Sequence, residues 1–307
     1  MTNFIDSLLG ISLLIQNGIT HLSCDDHITY LDTNEINTTT PVLFIHGGGQ
    51  HGTILWGVLN AFLKSNKSSF QHFAGVSFGA ALAIWAAMYS HDSTESGIER
   101  LFSLCTHMKI HTCERILDQS GMHDFVDCLF IHEKDLTLLE VHNRYFPSST
   151  VDILTTNSST FHSVVMNHLT FPHVKLKDAL RASMAIPLFI GSYELNGMVC
   201  IDGDITSIRY KKLCLPHNSV ILKMDGDTQI NLGDVFNENS FGQEWYTKLC
   251  TFFKLISNGY DCTPNGTRVY SVPVRDTSQT VFGGLIGNTI WHFENFQFGF
   301  NEMLLRL

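Results

Sequence analysis

The sequence predicts an α/β protein whose parallel strands are covered by helices. Two observations carry this. Residues 42–46, "VLFIH", form an apolar run of strand length, followed by glycines and then by a helical period over 53–65. The same order repeats at once. "FQHFAG" (70–75) is strand-like and leads through a turn into the Ala-rich segment 75–90. Strand, turn and helix twice over, with helices between the strands, call for a parallel sheet with helices on its faces.

The other elements follow in chain order. Residues 3–17 have the period of a short amphipathic helix, and "DTNEINTTTP" (32–41) is a polar connection. Segment 98–146 reads as interrupted helix. "VDILTTN" (151–157) and "HSVVMNH" (162–168) read as strands. "LKDALRASMA" (176–185) reads as a helix ended by Pro187, because proline cannot continue the hydrogen-bond ladder. "MVCIDGD" (198–204), "SVILKM" (219–224) and "RVYSVPV" (268–274) are the later strands, with long helices expected near 232–258 and 278–306. Trp56, Phe62, Trp85 and Met88 fall on core-like helical faces. No repeat, low-complexity tract or long linker divides the chain, so one domain over 1–307 is expected.

Acidic residues outnumber basic ones, 29 to 19, for a formal charge of −10. Nucleic acid is a poor partner for such a chain, because phosphate binding wants clustered Lys and Arg. The eight cysteines contain no Cys-x-x-Cys pair and read as free thiols rather than a disulfide framework. The apolar stretch at 8–15 lacks a basic region before it and is too short to span a bilayer. A cytoplasmic protein without a transmembrane segment is the expectation. In "CTHMKIHTC" (105–113), His107 and His111 stand one helical turn apart between two cysteines. With sixteen histidines and eight cysteines, chance clusters of this kind are expected, and no metal site is assigned.

Two motifs carry chemistry. The first is "FIHGGGQHG" (44–52), where three glycines interrupt the passage from strand to helix. Glycine triplets cost backbone entropy, which makes sense where bare N–H groups must approach a negative charge. The second is Gly75-Val76-Ser77-Phe78-Gly79, a Gly-x-Ser-x-Gly sequence between strand and helix. That context suits a strained elbow that exposes a nucleophilic hydroxyl, with the positive end of a helix behind it. The backbone N–H groups of Gly47, Gly48 and Gly49 then serve as an oxyanion hole, each donor contributing about 3 kcal/mol to the transition state. A Walker loop is excluded, since no Lys precedes Thr53. Gly47, Gly49 and Gly52 do have Gly-x-Gly-x-x-Gly spacing, and a dinucleotide site is the structural rival.

The serine needs a base, and two readings compete. A Ser-His-Asp esterase would use His217 or His292. Alternatively, Asp202 in "CIDGD" (200–204) stands at a strand end before a glycine turn, and a carboxylate bonded directly to the hydroxyl can take its proton.

Taken together, three blocks resemble the patatin-like phospholipases. "GGGQHG" (47–52) looks like the oxyanion block and "GVSFG" (75–79) like the nucleophile block. The stretch "LKDALRASMAIPLFIGSYELNGMVCIDGD" (176–204) is similar to the Ala-Ser-x-Ala-x-Pro-x-Phe helix and its downstream Asp-Gly block. The resemblance covers roughly residues 41–210. It implies a three-layer α/β/α fold with a mainly parallel central sheet, and acyl hydrolysis of phospholipids or related lipids at a membrane surface. It further implies Ser77 as nucleophile, Asp202 as base, Gly47 to Gly49 as oxyanion hole, supporting roles for Gly52, Gly75, Gly79 and Gly203, and no metal or cofactor. Departures are His51 where the family usually has Lys or Arg, Asp204 where it has Gly or Ala, and "ITSIRY" (205–210) where Asn-x-Pro is usual. A module that binds lipid or protein without turnover is the reading those departures motivate.

Overall fold

The computed structural model describes residues 40–49, 52–65, 70–89, 99, 119–160, 162–186, 190–225, 266–273 and 289–307. The expected helices at 3–17 and 232–258, the 105–113 cluster and His51 lie outside the described residues.

Among the described residues, eight strands form one mixed, mainly parallel sheet. They are β1 (Val42–Ile45), β2 (His72–Val76), β3 (Thr150–Asn157), β4 (Ser163–Met166), β5 (Tyr193–Leu195), β6 (Met198–Asp202), β7 (Val220–Asp225) and β8 (Arg268–Pro273). The strand order is β5-β6-β3-β2-β1-β7-β8, with β4 also paired to β3. From β3 through β2, β1 and β7 to β8 all pairs are parallel. The strands β4, β5 and β6 join antiparallel.

Helices α1 (Gly52–Ser65), α2 (Phe78–Tyr89), α3 (Gln119–Leu129), α4 (Leu138–Tyr145), α5 (Leu176–Ser183), α6 (Ser207–Cys214) and α7 (Thr289–Leu304) complete the described fold. Side-chain alternation along the strands sorts the core into two faces. Leu43 and Ile45 pack with α1, α2 and α5, while Val42 and Phe44 pack with Tyr210 and Cys214 of α6. This makes three layers, as expected. The near-uniform burial of α2 has the same cause: it lies between the sheet and other helices, and Phe78 to Ala87 are all buried.

Expected and observed elements differ in three places. Helix α5 ends at Ser183, before Pro187, with the Met184 N–H closing on the Leu180 carbonyl. Strand β5 is additional to the expected elements. It pairs with β6 through Asn196 and Gly197, both with positive φ (50° and 78°), a tight turn matched to the twist of a hairpin. Helix α6 fills the stretch where the sequence departs from Asn-x-Pro.

Candidate active site

Strand register brings the chemistry-bearing segments together. Ile45 pairs with Gly75, Val76 with Leu154, and Thr155 with Asp202. Continued past the strand ends, by two residues from Ile45–Gly75 and by one from Val76–Leu154, this register places Gly47, Ser77, Thr155 and Asp202 in one row across the sheet. Ser77 and Asp202 lie on strands two apart, so their backbones are roughly 10 Å apart. Their side chains approach across that gap, and the Ser77 hydroxyl lies near enough to the Asp202 carboxylate to favour its charged form.

The turn at Ser77 is strained. Its φ is +53°, a left-handed conformation that non-glycine residues adopt at a cost of about 1–3 kcal/mol. Gly75 and Gly79 make the turn feasible: a Cβ on Gly75 would overlap the Gly79 carbonyl, and one on Gly79 would overlap the carbonyls of Ile45 and His46. The Ser77 carbonyl accepts the Ala80 N–H at 2.9 Å and so opens α2, whose N-terminal dipole end points at the site.

Asp202 ends β6 and is 6% exposed. Its N–H donates to the Ala185 carbonyl at 2.8 Å, which ties it to the exit of α5. Its own carbonyl accepts from the Thr156 hydroxyl at 3.0 Å, and Thr156 and Thr206 pair at 2.8 Å. The Asp204 N–H donates to Asp202 Oδ1 at 2.9 Å. Burial pushes the Asp202 carboxyl up to about 8. The negative charge of Asp204 adds to the rise, while the Asp204 N–H and the Ser77 hydroxyl oppose it. A carboxylate tuned to that range is a more effective proton acceptor than an ordinary one, since a base works best with a pKa near the operating pH.

Of the three loop glycines, Gly47 lies against Ser77: a Cβ on it would come 3.3 Å from the Ser77 Cβ. Gly48 packs on the start of α1, beside Gly52 and Leu55. Gly49 has a φ of +46° and faces open space. Gly52 opens α1 against the Phe78 ring, and Gly203 turns tightly under the Leu154 carbonyl. The alternative bases are placed differently. His217 sits on an exposed turn just ahead of β7, at the sheet end remote from Ser77. The side chain of His292 lies outside the described residues. Among the described residues no group of His, Cys, Asp and Glu is arranged to hold a metal ion.

Several side chains at the site make contacts that the sequence motifs do not specify. The Ser183 hydroxyl accepts the Ser77 N–H at 2.9 Å and donates to the Leu154 carbonyl at 2.6 Å. Thr155 is within hydrogen-bond distance of the Ala182 and Ile201 carbonyls. His46 and Lys211 form a buried contact at 3.2 Å directly behind the glycine loop. Burial, with the Lys211 charge second, holds His46 down to about 4, so its ring is neutral near pH 7.

No curated protein matches the chain. Among solved structures, VipD from Legionella pneumophila has a TM-score of 0.46 at 12% identity, over 87% of this chain and 66% of that one. The type III effector ExoU, from Pseudomonas aeruginosa, has 0.39 at 13% identity, over 86% and 52%. Human GIVD cytosolic phospholipase A2 has 0.36 at 12% identity, over 81% and 47%. The chain thus spans about half to two thirds of the length of these proteins. No described helix is long and apolar enough to cross a membrane. The patatin-like phospholipase family itself matches residues 43–207, from β1 into α6 and more than half of the sequence. This chain belongs to the patatin-like phospholipase family.

Proposed function

We propose that this chain is a serine lipid acyl hydrolase acting through Ser77 and Asp202. The observation that carries the reading is the approach of the Ser77 hydroxyl to a buried carboxylate, in one row with a bare glycine loop. Ser77 Oγ attacks the carbonyl carbon of a fatty acyl ester, and its proton passes to Asp202. The oxyanion develops beside Gly47, where backbone N–H groups of the loop stabilise it, aided by the N-terminus of α2. The C–O bond to the alcohol or lysolipid then breaks, and the leaving oxygen takes the proton from Asp202. Water attacks the acyl-enzyme, again losing a proton to Asp202. The fatty acid leaves, and the proton returns to Ser77. The strain at Ser77 and the hydrogen bonds around Asp202 fix both groups before substrate arrives, which lowers the cost of reaching the reacting geometry.

The test is digestion of a mixed lipid extract by the wild-type chain and by Ser77→Ala, with products read by mass spectrometry. Fatty acid and lysolipid release from the wild type, absent in a folded Ser77→Ala protein, is the expected result. Equal release by both would end the reading.

A further inference from the structure

Behind the glycine loop lies a polar cluster that the acyl-transfer scheme leaves without a role. The Asp204 side chain turns back toward β1, so that a Cβ on Gly47 would overlap its carboxylate. Its Oδ1 is buried without a hydrogen-bond partner among the described residues, and His46 Nδ1 faces it at 3.6 Å. On the other side of the imidazole, Lys211 Nζ lies 3.2 Å from His46 Nε2. Both His46 and Lys211 are 1% exposed. An ammonium only donates, so Nε2 accepts and the ring proton belongs on Nδ1, aimed at Asp204. Asp204 in turn reaches Asp202 through its backbone N–H at 2.9 Å.

We propose that Lys211, His46 and Asp204 form a buried positioning relay that holds the Asp204 carboxylate against Gly47 and governs how readily Asp202 takes the proton of Ser77. The inference rests on the reading of Ser77 and Asp202 as nucleophile and base. Among the charged and polar groups that act on the relay, Asp202 feels Asp204 and Ser77, and His46 feels Lys211, Asp204 and Lys223. The negative charge of Asp204 makes it harder for Asp202 to ionise. Lys211, on the far side of the ring, offsets that effect. Removing the Asp204 charge therefore lets Asp202 ionise at lower pH. Removing the Lys211 charge has the reverse effect. Simple structural damage would not move a pH profile in opposite directions at two sites.

The experiment measures the rate of Ser77 labelling by a fluorophosphonate probe as a function of pH, read by intact mass, in the full chain. In wild type the rate rises as Asp202 ionises. In Asp204→Asn the rise moves at least one pH unit toward acid, a tenfold gain at a pH on the rising limb. In Lys211→Met it moves toward alkali, and the shift at least halves when Asp204→Asn is present. Where Lys211→Met does not fold, His46→Gln takes its place with the same expected direction. Single-variant profiles that superimpose on wild type, or that move the same way, overturn the relay. Ser77→Ala separates the two readings: labelling that persists in it defeats the assignment of the nucleophile, whereas loss of labelling with unmoved profiles defeats the relay alone.

Discussion

The Ser77 N–H donates a 2.9 Å hydrogen bond to the Ser183 hydroxyl, which in turn donates to the Leu154 carbonyl at 2.6 Å. Helix α5 thereby clamps the strained elbow to β3 from below. In Ser183→Ala the buried Ser77 N–H loses its acceptor, and an unsatisfied buried donor costs about 1–3 kcal/mol. The variant is expected to lose that much stability in urea unfolding. It is also expected to label with a fluorophosphonate about tenfold more slowly, because the left-handed turn is no longer held. Unchanged stability and labelling would show that the elbow holds itself.

Two buried groups give stability a distinctive dependence on pH. Asp202 is raised to about 8 by burial first and Asp204 second. Between about 4 and about 8 the folded chain therefore keeps a proton that the unfolded chain has released. Its contribution is complete below the unfolded pKa and is lost as pH rises toward 8. His46 is lowered to about 4, mainly by burial. Its contribution is present above 6.5 and is lost as pH falls toward 4. The two slopes oppose each other between 4 and 6.5, leaving that of Asp202 exposed between 6.5 and 8. There, wild-type stability should fall by up to about 1.4 kcal/mol per pH unit relative to Asp202→Asn, in which the group cannot titrate. Urea midpoints across this range check it, and parallel curves would contradict it.

A second buried charge is held at the opposite end of β3. Asp152 receives Tyr210 at 2.6 Å and Asn167 at 2.8 Å, and pairs with His72 at 2.8 Å. Burial alone would raise its pKa, but the His72 charge and these hydrogen bonds outweigh it and hold the carboxyl low. Tyr210→Phe keeps the ring stacked on Phe44 at 5.8 Å and deletes one hydrogen bond to the charge. A loss of about 1.5–3 kcal/mol is expected, since a hydrogen bond to a charged group lies in that range. Thermal or urea unfolding decides it.

What was legible in the sequence was whatever leaves a local pattern. Apolar runs marked β1 and β7, and glycines beside Ser77 marked the elbow, because a tight turn excludes Cβ atoms at fixed positions. The β5–β6 hairpin leaves only Asn196-Gly197 as a local signal, a turn pair flanked by runs too short to read as strands. Helix α6 was obscured because its inward face carries Tyr210 and Lys211, polar groups that periodicity assigns to solvent. The contact of His46 with Lys211 and Asp204 joins distant segments, and no spacing rule pairs them. The hydroxyls of Thr155, Thr156 and Ser183 are buried because they satisfy backbone groups of neighbouring strands, a requirement that exists only once the sheet is assembled.

Helices α1 and α7 pack so closely that two glycines are required where they cross. A Cβ on Gly57 would overlap the Phe296 carbonyl, and one on Gly299 would overlap the Ile54 carbonyl. Both obstacles are backbone, which cannot swing aside as a side chain can. Trp56, meanwhile, packs edge-on to Trp85 and Phe296 at ring distances of 5.9 and 6.5 Å, so separating the helices would also loosen this aromatic contact. Gly57→Ala and Gly299→Ala are each expected to cost about 1–3 kcal/mol or more, the range for forcing extra methylenes into a packed core. The double variant should lose less than the sum, because the shift that admits the first Cβ makes room for the second. Gly197→Ala is the comparison: nothing lies within 4 Å of its Cβ position, and its φ is +78°. Its cost is confined to left-handed strain of roughly 1–2 kcal/mol. Urea unfolding of all four variants checks the ordering. Full additivity of the two helix glycines would mean that they are accommodated independently, and that the crossing does not move as a unit.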